Sequence, residues 1–504
     1  MKKRFKLIAI LVILVATILS GCSGASKSSG GNKETSSSKD QPDEITYAFP
    51  AFGNIPKDLK QVEDEINKIS VKEINVRVNL KPVNGGNWNQ QVTLMISGGE
   101  DLDLMPTLGQ FSTMASKKQL ADITDLLQKY GQGIKSTLGD DFLRGTTLDG
   151  KLYGVTLGNG KAAVPNIVMR KDILDKYGLS IDNVKTLDDI AKIYEVVSKN
   201  EPEMAMLVPQ ATGNVSMAPG SLLMQSKYDN LGDNFGVLLG NDNYKVVNVY
   251  ESDEYKDIIK TMWEWNKEGY IMKGAATSTE TAVNLLKAGK GFSQFSNGEA
   301  GLDAQLSRNT GHPFVAKKLQ DPNITSGTLN GLTWVIPVTS KNPEAAMKFL
   351  NLTYTNADVI NLLDWGIEGK HYVEKSDGTI GYPEGVDANN TGYGLGQDWL
   401  FGNQLIAHVW EGNDPNNYKI LGENNKTAPI SNALGFTFDS SKVKTEIASV
   451  TNVANQYQPG LDTGSVDPDK NLPEFISRLK AAGIDKIIEE KQKQLDAWVD
   501  ENKK

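Results

Sequence analysis

The sequence predicts an α/β protein of two packed lobes with a ligand crevice between them, and three observations carry that expectation. The chain has 504 residues, more than one hydrophobic core normally organises. From Glu44 onward, short apolar runs alternate with helical periodicity, the pattern of a sheet served by crossover helices. A second series of the same kind opens at Pro165, with no internal repeat and no further linker, so short crossing strands should join the lobes and the crevice between them is the natural ligand site.

Each element has its own signal. Ile45 to Phe49 reads as a buried strand. Leu59, Val62, Ile66 and Ile69 follow at helical spacing, and Ile74, Val76, Val78 and Leu80 then alternate with polar residues, which makes a β-α-β unit. A second helix from Asn87 to Met95 stops at Gly98-Gly99, and Leu102 to Met105 is a third strand, so a parallel sheet is expected. Asp149-Gly150 between short extended runs marks a hairpin. In the second series, helices are expected over Lys171 to Tyr177 and Leu187 to Ser198, with a strand at Met204 to Val208. Helical stretches continue over Asp253 to Lys267 and Thr279 to Lys287. Gly331 to Pro337 is again extended and precedes a capped helix beginning at SKNPEAA. Ile484, Ile487, Ile488, Leu495 and Trp498 form one stripe of a docked amphipathic helix at the C-terminus.

Composition excludes several classes. Hydrophobic residues are 39% and charged residues 23%, ordinary for a globular protein and unlike a disordered chain, a coiled coil or a multi-span membrane protein. The net charge of −9 disfavours nucleic acid, which needs basic patches. One cysteine and three histidines leave no internal disulfide and no thiolate or zinc cluster, so no metal or cofactor is expected.

The first 21 residues read as a signal peptide. A basic start precedes 13 residues, Leu7 to Leu19, that are apolar except for Thr17, too few for a comfortable membrane span. Leu19-Ser20-Gly21-Cys22 resembles the bacterial lipobox, which implies cleavage before Cys22 and a diacylglycerol on its thiol. Residues 22–43 are rich in Ser and Gly and cannot bury enough apolar surface to fold. They form a tether of roughly 25 Å that would hold the body outside the cytoplasm, just clear of the membrane.

No phosphate loop, nucleophile elbow, paired zinc-ligand motif or dinucleotide fingerprint occurs in its required context. His312, His371 and His408 are too dispersed to nominate a general base. The 62 acidic residues guarantee close carboxylate pairs, so a glycosidase pair stays possible without being specific. Tryptophans say more, because a sugar presents an apolar C–H face rimmed by hydroxyls and is held by aromatic stacking with planar amides and carboxylates. Trp263, Trp265 and Trp498 read as core. Trp88, beside Asn84, Asn87 and Asn89, and Trp334, Trp365 and Trp399, among Gly, Asn, Gln and Glu where elements end, are the candidates for a pocket.

Taken together, the lipobox, the opening ITYAFPAF, the LYGVT hairpin, VMRKDILDKYGLS, IPVTSKNPEAAMKFLNL and GIEGKHY resemble the extracellular solute-binding proteins (family 1) of carbohydrate ABC importers, in particular the LplA-type lipoproteins of Gram-positive bacteria. GFTFDSSKVKTEIASV and the tail resemble that subfamily's C-terminal domain. The resemblance spans essentially the whole mature chain. It implies a type II periplasmic-binding-protein-like clamp with mixed sheets flanked by helices, a first lobe of residues 44–164 and 330–384, and a second of 165–329 and 385–504. By family position the cleft would draw on Phe49, Pro50, Phe52 and Asn54 after the first strand and Thr107, Gln110 and Phe111 after the third. Asn159, Lys161, Gln210, Gln294, Phe295 and Asn297 would come from the crossing and second-lobe loops, and Trp334, Trp365, Glu368, Trp399, Asn403 and Phe436 complete the set with Trp88. The implied function is a noncatalytic, lipid-anchored receptor on the extracellular face of the membrane. It would trap a sugar or oligosaccharide by hinge closure, pass it to ABC permease subunits, and act as a monomer. A lipid-anchored carboxylate-pair glycosidase or lyase and a peptide-binding lipoprotein are the competing readings.

Overall fold

The computed structural model describes residues 41–502 apart from 149, 158–163, 210–218, 225–226, 241–242, 279 and 299–300. The expectations placed on Cys22, Asn159, Lys161 and Gln210, on the signal peptide and on most of the tether lie outside the described residues.

The chain opens with β1 (Asp43–Ala51), α1 (Leu59–Ile74) and β2 (Val76–Asn84), the expected β-α-β unit, with β1 and β2 parallel and Tyr47 opposite Leu80. Asn75 ends α1 in the left-handed region at φ 54°, so Ile74 belongs to the helix and not to the strand where alternation put it. The open edge of β2 is satisfied by α1 itself. Buried Asn67 donates to the Val78 carbonyl at 2.9 Å and accepts its amide at 2.7 Å, and Glu63 accepts the Leu80 amide at 2.8 Å, which removes the template for edge pairing. There follow α2 (Trp88–Gly98), β3 (Met105–Pro106), α3 (Phe111–Ser116), α4 (Thr124–Tyr130) and α5 (Gln132–Arg144). The expected hairpin is β4 (Thr147–Leu148) with β5 (Lys151–Leu152), and β6 (Val155–Thr156) comes next.

The second series runs β7 (Val164–Arg170), α6 (Lys171–Lys176), α7 (Leu187–Asn200), β8 (Ala205–Leu207), α8 (Pro219–Met224) and β9 (Tyr228–Asp229). It continues with β10 (Val237–Leu239), β11 (Val246–Val247), α9 (Asp253–Lys267), α10 (Ala282–Lys287), β12 (Gly291–Gly298), α11 (Leu302–Thr310) and β13 (Phe314–Lys318). The chain then returns through α12 (Ser326–Asn330), β14 (Thr333–Val335), α13 (Pro343–Thr355), α14 (Ala357–Trp365) and the ribbon β15 (Val373–Glu374) and β16 (Ile380–Gly381). It closes with α15 (Asn417–Thr427), α16 (Lys444–Asp462), α17 (Pro468–Ala482) and α18 (Ile484–Asn502).

Two cores result, in the two-lobed α/β architecture. In the first, β2 pairs with β1, Tyr47 bridges in parallel to Leu104 just before β3, and β14 lies antiparallel between β3 and β6. In the second, the sheet order is β13-β7-β12-β8, with β12 antiparallel to β7 and parallel to β8. The sheets are therefore mixed, and the purely parallel expectation for the first lobe is corrected: β14 returns from the second lobe and enters antiparallel. Crossing segments pair with each other where they pass between the cores, the Ile324 amide donating to the Pro429 carbonyl at 2.8 Å and the Ser431 amide to the Ile324 carbonyl at 2.7 Å. One boundary differs from the expected division at residue 385. Tyr393, Leu395, Leu400 and Phe401 pack in the first core, and the second resumes only at Ala433, because Phe401 meets the edge of the Phe49 ring at 5.2 Å and the Leu400 carbonyl accepts the Trp334 indole N–H at 2.9 Å.

The C-terminal helices are part of the second core, to which Val450, Ala454, Leu461, Leu472, Phe475, Leu479, Ile484, Ile487 and Leu495 contribute. Two buried polar contacts fix their placement. The Lys491 ammonium, fully buried on α18, donates to Asp233 at 2.7 Å and to the Gly236 carbonyl at 2.9 Å. Asp462, fully buried at the end of α16, accepts from the Tyr255 hydroxyl at 2.8 Å, from Gln458 at 3.1 Å and from Ser221. These donors are neutral, so burial dominates and pushes the Asp462 carboxyl up to about 6. Because the folded state holds this proton above its unfolded range, stability contributed by protonated Asp462 is fully present below about pH 4 and is lost as pH rises toward 6. Asp462→Asn keeps the shape and removes the ionisation. The melting temperature of the variant relative to the parent is expected to climb between pH 4 and 6 and then level off, as read by calorimetry at half-unit pH steps.

Candidate functional site

The loops that follow the C-terminal ends of β1 and β3 come together on the first lobe, since Tyr47 and Leu104 bridge their strands. Open α/β sheets bind ligands at such strand ends. The aromatic residue available there is Phe52, 37% exposed, whose ring lies 5.7 Å from that of half-buried Trp399 at a tilt of 35°. Gly85 makes room for it, because a Cβ at that position would come within 2.7 Å of the Phe52 ring. Gln397 fixes the approach of the loop: its amide donates to the Pro50 carbonyl at 2.7 Å and its carbonyl oxygen accepts the Phe52 amide at 3.4 Å. Asn54 is exposed beside this pair in sequence.

The loop after β3 is held in an unusual backbone. Leu108 has φ 40° and Gly109 φ 77°, and for a leucine that left-handed conformation is strained and persists only where its surroundings enforce it. The enforcing bonds are Thr107 N–H to the Thr333 carbonyl at 2.9 Å and Gly109 N–H to the Gly331 carbonyl at 2.6 Å. Gln110 is half-buried at the start of α3. Thr107 is 1% exposed, and its hydroxyl finds no partner among the described residues.

The segment from Gly396 to Asn403 connects these parts. Asp398 accepts from Gln404 at 2.6 Å, Gln305 and the Tyr418 hydroxyl at 3.2 Å each, and Arg308 at 3.4 Å. Arg308, 7% exposed, also sits 4.9 Å from the Trp365 ring and 5.1 Å from Trp410. Asn403 is buried, its amide N–H bonded to the Thr353 carbonyl at 3.1 Å. Beneath it, Asp364 is fully buried and its carboxyl, without a partner among the described residues, is driven well above its usual range by burial and by the nearby charge of Asp398.

Several residues expected to face ligand are core. Trp334 stacks on Tyr47 at 4.4 Å and is fully buried, because β14 is an inner strand covered on both faces. Trp88 and Phe111 fill a small core under α2, Phe49 belongs to the first core, and Phe295 and Phe436 belong to the second. Trp365 packs on Trp410 at 5.3 Å. None of these seven is more than 4% exposed, so they support the loops from below and offer no open face. Pro50 and Gln294 are also buried, Gln294 within β12, while Asn297 is half-buried near the end of that strand. Glu368 is exposed in a loop that GIEGKHY serves structurally: buried His371 bonds Asp58 at 3.0 Å and accepts the Ile367 amide, and Lys370 pairs with Asp58 at 2.7 Å. Burial holds His371 below its usual range and so neutral. Gln305, Arg308, Gln397 and Asp398 were missed. The signal that could have found the last two is GQDW, a planar amide and a carboxylate directly before a candidate tryptophan.

The site and core aromatics predict different losses. Trp334→Ala should cost about 3–5 kcal/mol of unfolding free energy in urea, whereas Phe52→Ala should cost less than about 1 kcal/mol.

A family model described as bacterial extracellular solute-binding protein matches residues 63–360, more than half of the chain, and a second model, of a domain of unknown function, matches residues 432–500. Over its whole length the chain is 28% identical to the whole of a carbohydrate ABC transporter substrate-binding protein of Streptococcus pneumoniae serotype 4. It is 24% identical to a polygalacturonan/rhamnogalacturonan-binding protein of Bacillus subtilis, over 74% of this chain and 75% of that protein. Among solved structures, the N-glycan transport solute binding protein NgtS of Streptococcus pneumoniae in complex with Man5GlcNAc superposes with a TM-score of 0.79, at 25% identity, over 91% of this chain and 99% of that one.

Proposed function

Since the chain belongs to the bacterial extracellular solute-binding proteins, we propose that it captures a carbohydrate, of oligosaccharide size, and delivers it to an ABC importer. The observation that carries this reading is the Phe52–Trp399 pair: an accessible aromatic face flanked by amides and a carboxylate is the chemistry that holds a sugar ring. Relatives named for carbohydrate and for N-glycan transport support the same substrate class. Phe52, Asn54, Gln110 and Trp399 contact the ligand from the first lobe, with Asn297 and Glu368 reached only by a longer chain; Thr107 and Asn403 shape the floor.

The two cores act as jaws, and the paired crossings at Ile324 and Ile430 as the hinge. A sugar that touches both jaws binds the closed arrangement more tightly than the open one and shifts the population toward it. The action is binding without turnover, since the carboxylate beside the aromatic pair, Asp398, is engaged by three side-chain amide and hydroxyl donors and by Arg308, and neutral His371 is committed to Asp58. Lipid on Cys22 holds the receptor at the extracellular face of the membrane. No helix among the described residues is long and apolar enough to cross a membrane.

A thermal-shift panel of Man5GlcNAc, an oligogalacturonide, maltotriose and short peptides tests the substrate class. A sugar at 100 times its Kd should add about 2.7 kcal/mol of stability, and Trp399→Ala should cut that shift to about half while changing the ligand-free melt little. Stabilisation by peptides alone contradicts the carbohydrate reading.

A further inference from the structure

Helix α11 belongs to the second lobe by connection and by packing: it hangs between β12 and β13, and Leu306 joins the core formed by Val168, Leu286 and Phe314. Its opposite face meets the first lobe. Gln305 and Asn309 donate to the Gly396 carbonyl at 3.4 and 3.3 Å, and Arg308 pairs with Asp398. The residues on either side of Asp398 are the two that set Phe52, since Gln397 bonds its loop and Trp399 lies against its ring.

We propose that Arg308 is a positioning residue for ligand capture: by clamping Asp398 across the junction between the lobes, it sets the Phe52–Trp399 face in its sugar-accepting place. The proposal rests on the carbohydrate reading of that face. Arg308 is suited to the task because its planar guanidinium lies against two aromatic rings while it serves a carboxylate, a combination that lysine does not reproduce. The other groups facing Asp398, namely Gln305, Gln404 and Tyr418, are neutral. Without Arg308 the carboxylate stays buried beside Asp364 with its charge uncompensated, and the cheapest relief is for the Gly396–Asn403 segment to move toward water, taking Trp399 with it. The contact also exists only while α11 lies on that segment, so the aromatic face is complete only when the lobes are in this arrangement. Lobe docking and sugar stacking are thereby coupled through one side chain.

The test begins without sugar. Protein labelled with 5-fluorotryptophan is followed by ¹⁹F NMR, with the Trp399 line assigned by Trp399→Phe. In Arg308→Gln this line is expected to shift and broaden while that of Trp263 on α9 stays in place, and Arg308→Lys should restore it only in part. The double variant Arg308→Gln/Asp398→Asn, which removes both charges of the pair, guards against an unfolded variant and should also displace the line. In calorimetric titration with Man5GlcNAc, Arg308→Gln should weaken binding at least tenfold in the parent but less than twofold in a Trp399→Ala background. An unmoved Trp399 line in both variants, or losses that simply multiply, overturns the proposal. A shifted line in a protein that binds no glycan contradicts the carbohydrate reading and leaves the positioning role standing.

Discussion

The buried ion pair between Arg308 and Asp398 joins the two cores at the point where the exposed aromatic pair is assembled. A pair of this kind contributes little net stability, because desolvation offsets most of the attraction, yet removing one partner commonly costs about 3–5 kcal/mol. It therefore specifies an arrangement more than it strengthens one. Here the arrangement includes a second, uncharged layer: Gln404 and Tyr418 complete the coordination of Asp398, and Trp365 and Trp410 exclude water from the guanidinium. The short segment Gly396–Asn403 also holds the end of β1 through Gln397, Trp334 through the Leu400 carbonyl, and the end of α13 through Asn403. A loop with so many long-range bonds has little freedom of its own, so it moves with its partners.

Much of the fold was legible because it is written in local periodicity. Alternation from Ile45 to Leu80 gave the first β-α-β unit, Gly98-Gly99 the end of α2, Gly150 the hairpin, and the apolar stripe of the tail the last helix. What periodicity cannot carry is which elements from distant parts of the chain meet. β14 reads as a short extended run flanked by Gly and Asn, and its tryptophan looked like a loop aromatic. Between β3 and β6 it becomes an inner strand, and Tyr47 and Phe401, remote in sequence, cover Trp334. The same blindness moved the boundary near residue 385, since Tyr393 to Phe401 has neither helical nor strand period and enters the first core through individual contacts.

The site was legible in part and for the same reason. Phe52 and Trp399 were both nominated, one by its place after β1 and one by its neighbours, but nothing in the sequence says that residues almost 350 positions apart form one face. Arg308 had no signal, because a lone arginine on a helix reads as a solvated charge until its two tryptophans and its carboxylate are seen around it. His371 ties the loop after α14 to the start of α1 through Asp58, a contact between distant parts of the chain that no local pattern announces.

The central claim is capture of an intact carbohydrate, and native mass spectrometry tests it most directly. The chain starting after Cys22 would be incubated with a mixed pool of oligosaccharides and short peptides, desalted and sprayed under non-denaturing conditions. The account predicts one ligand per protein, released on activation with the mass of an unmodified oligosaccharide. A peptide adduct, or depletion of the pool with cleaved sugars appearing in solution, would contradict it.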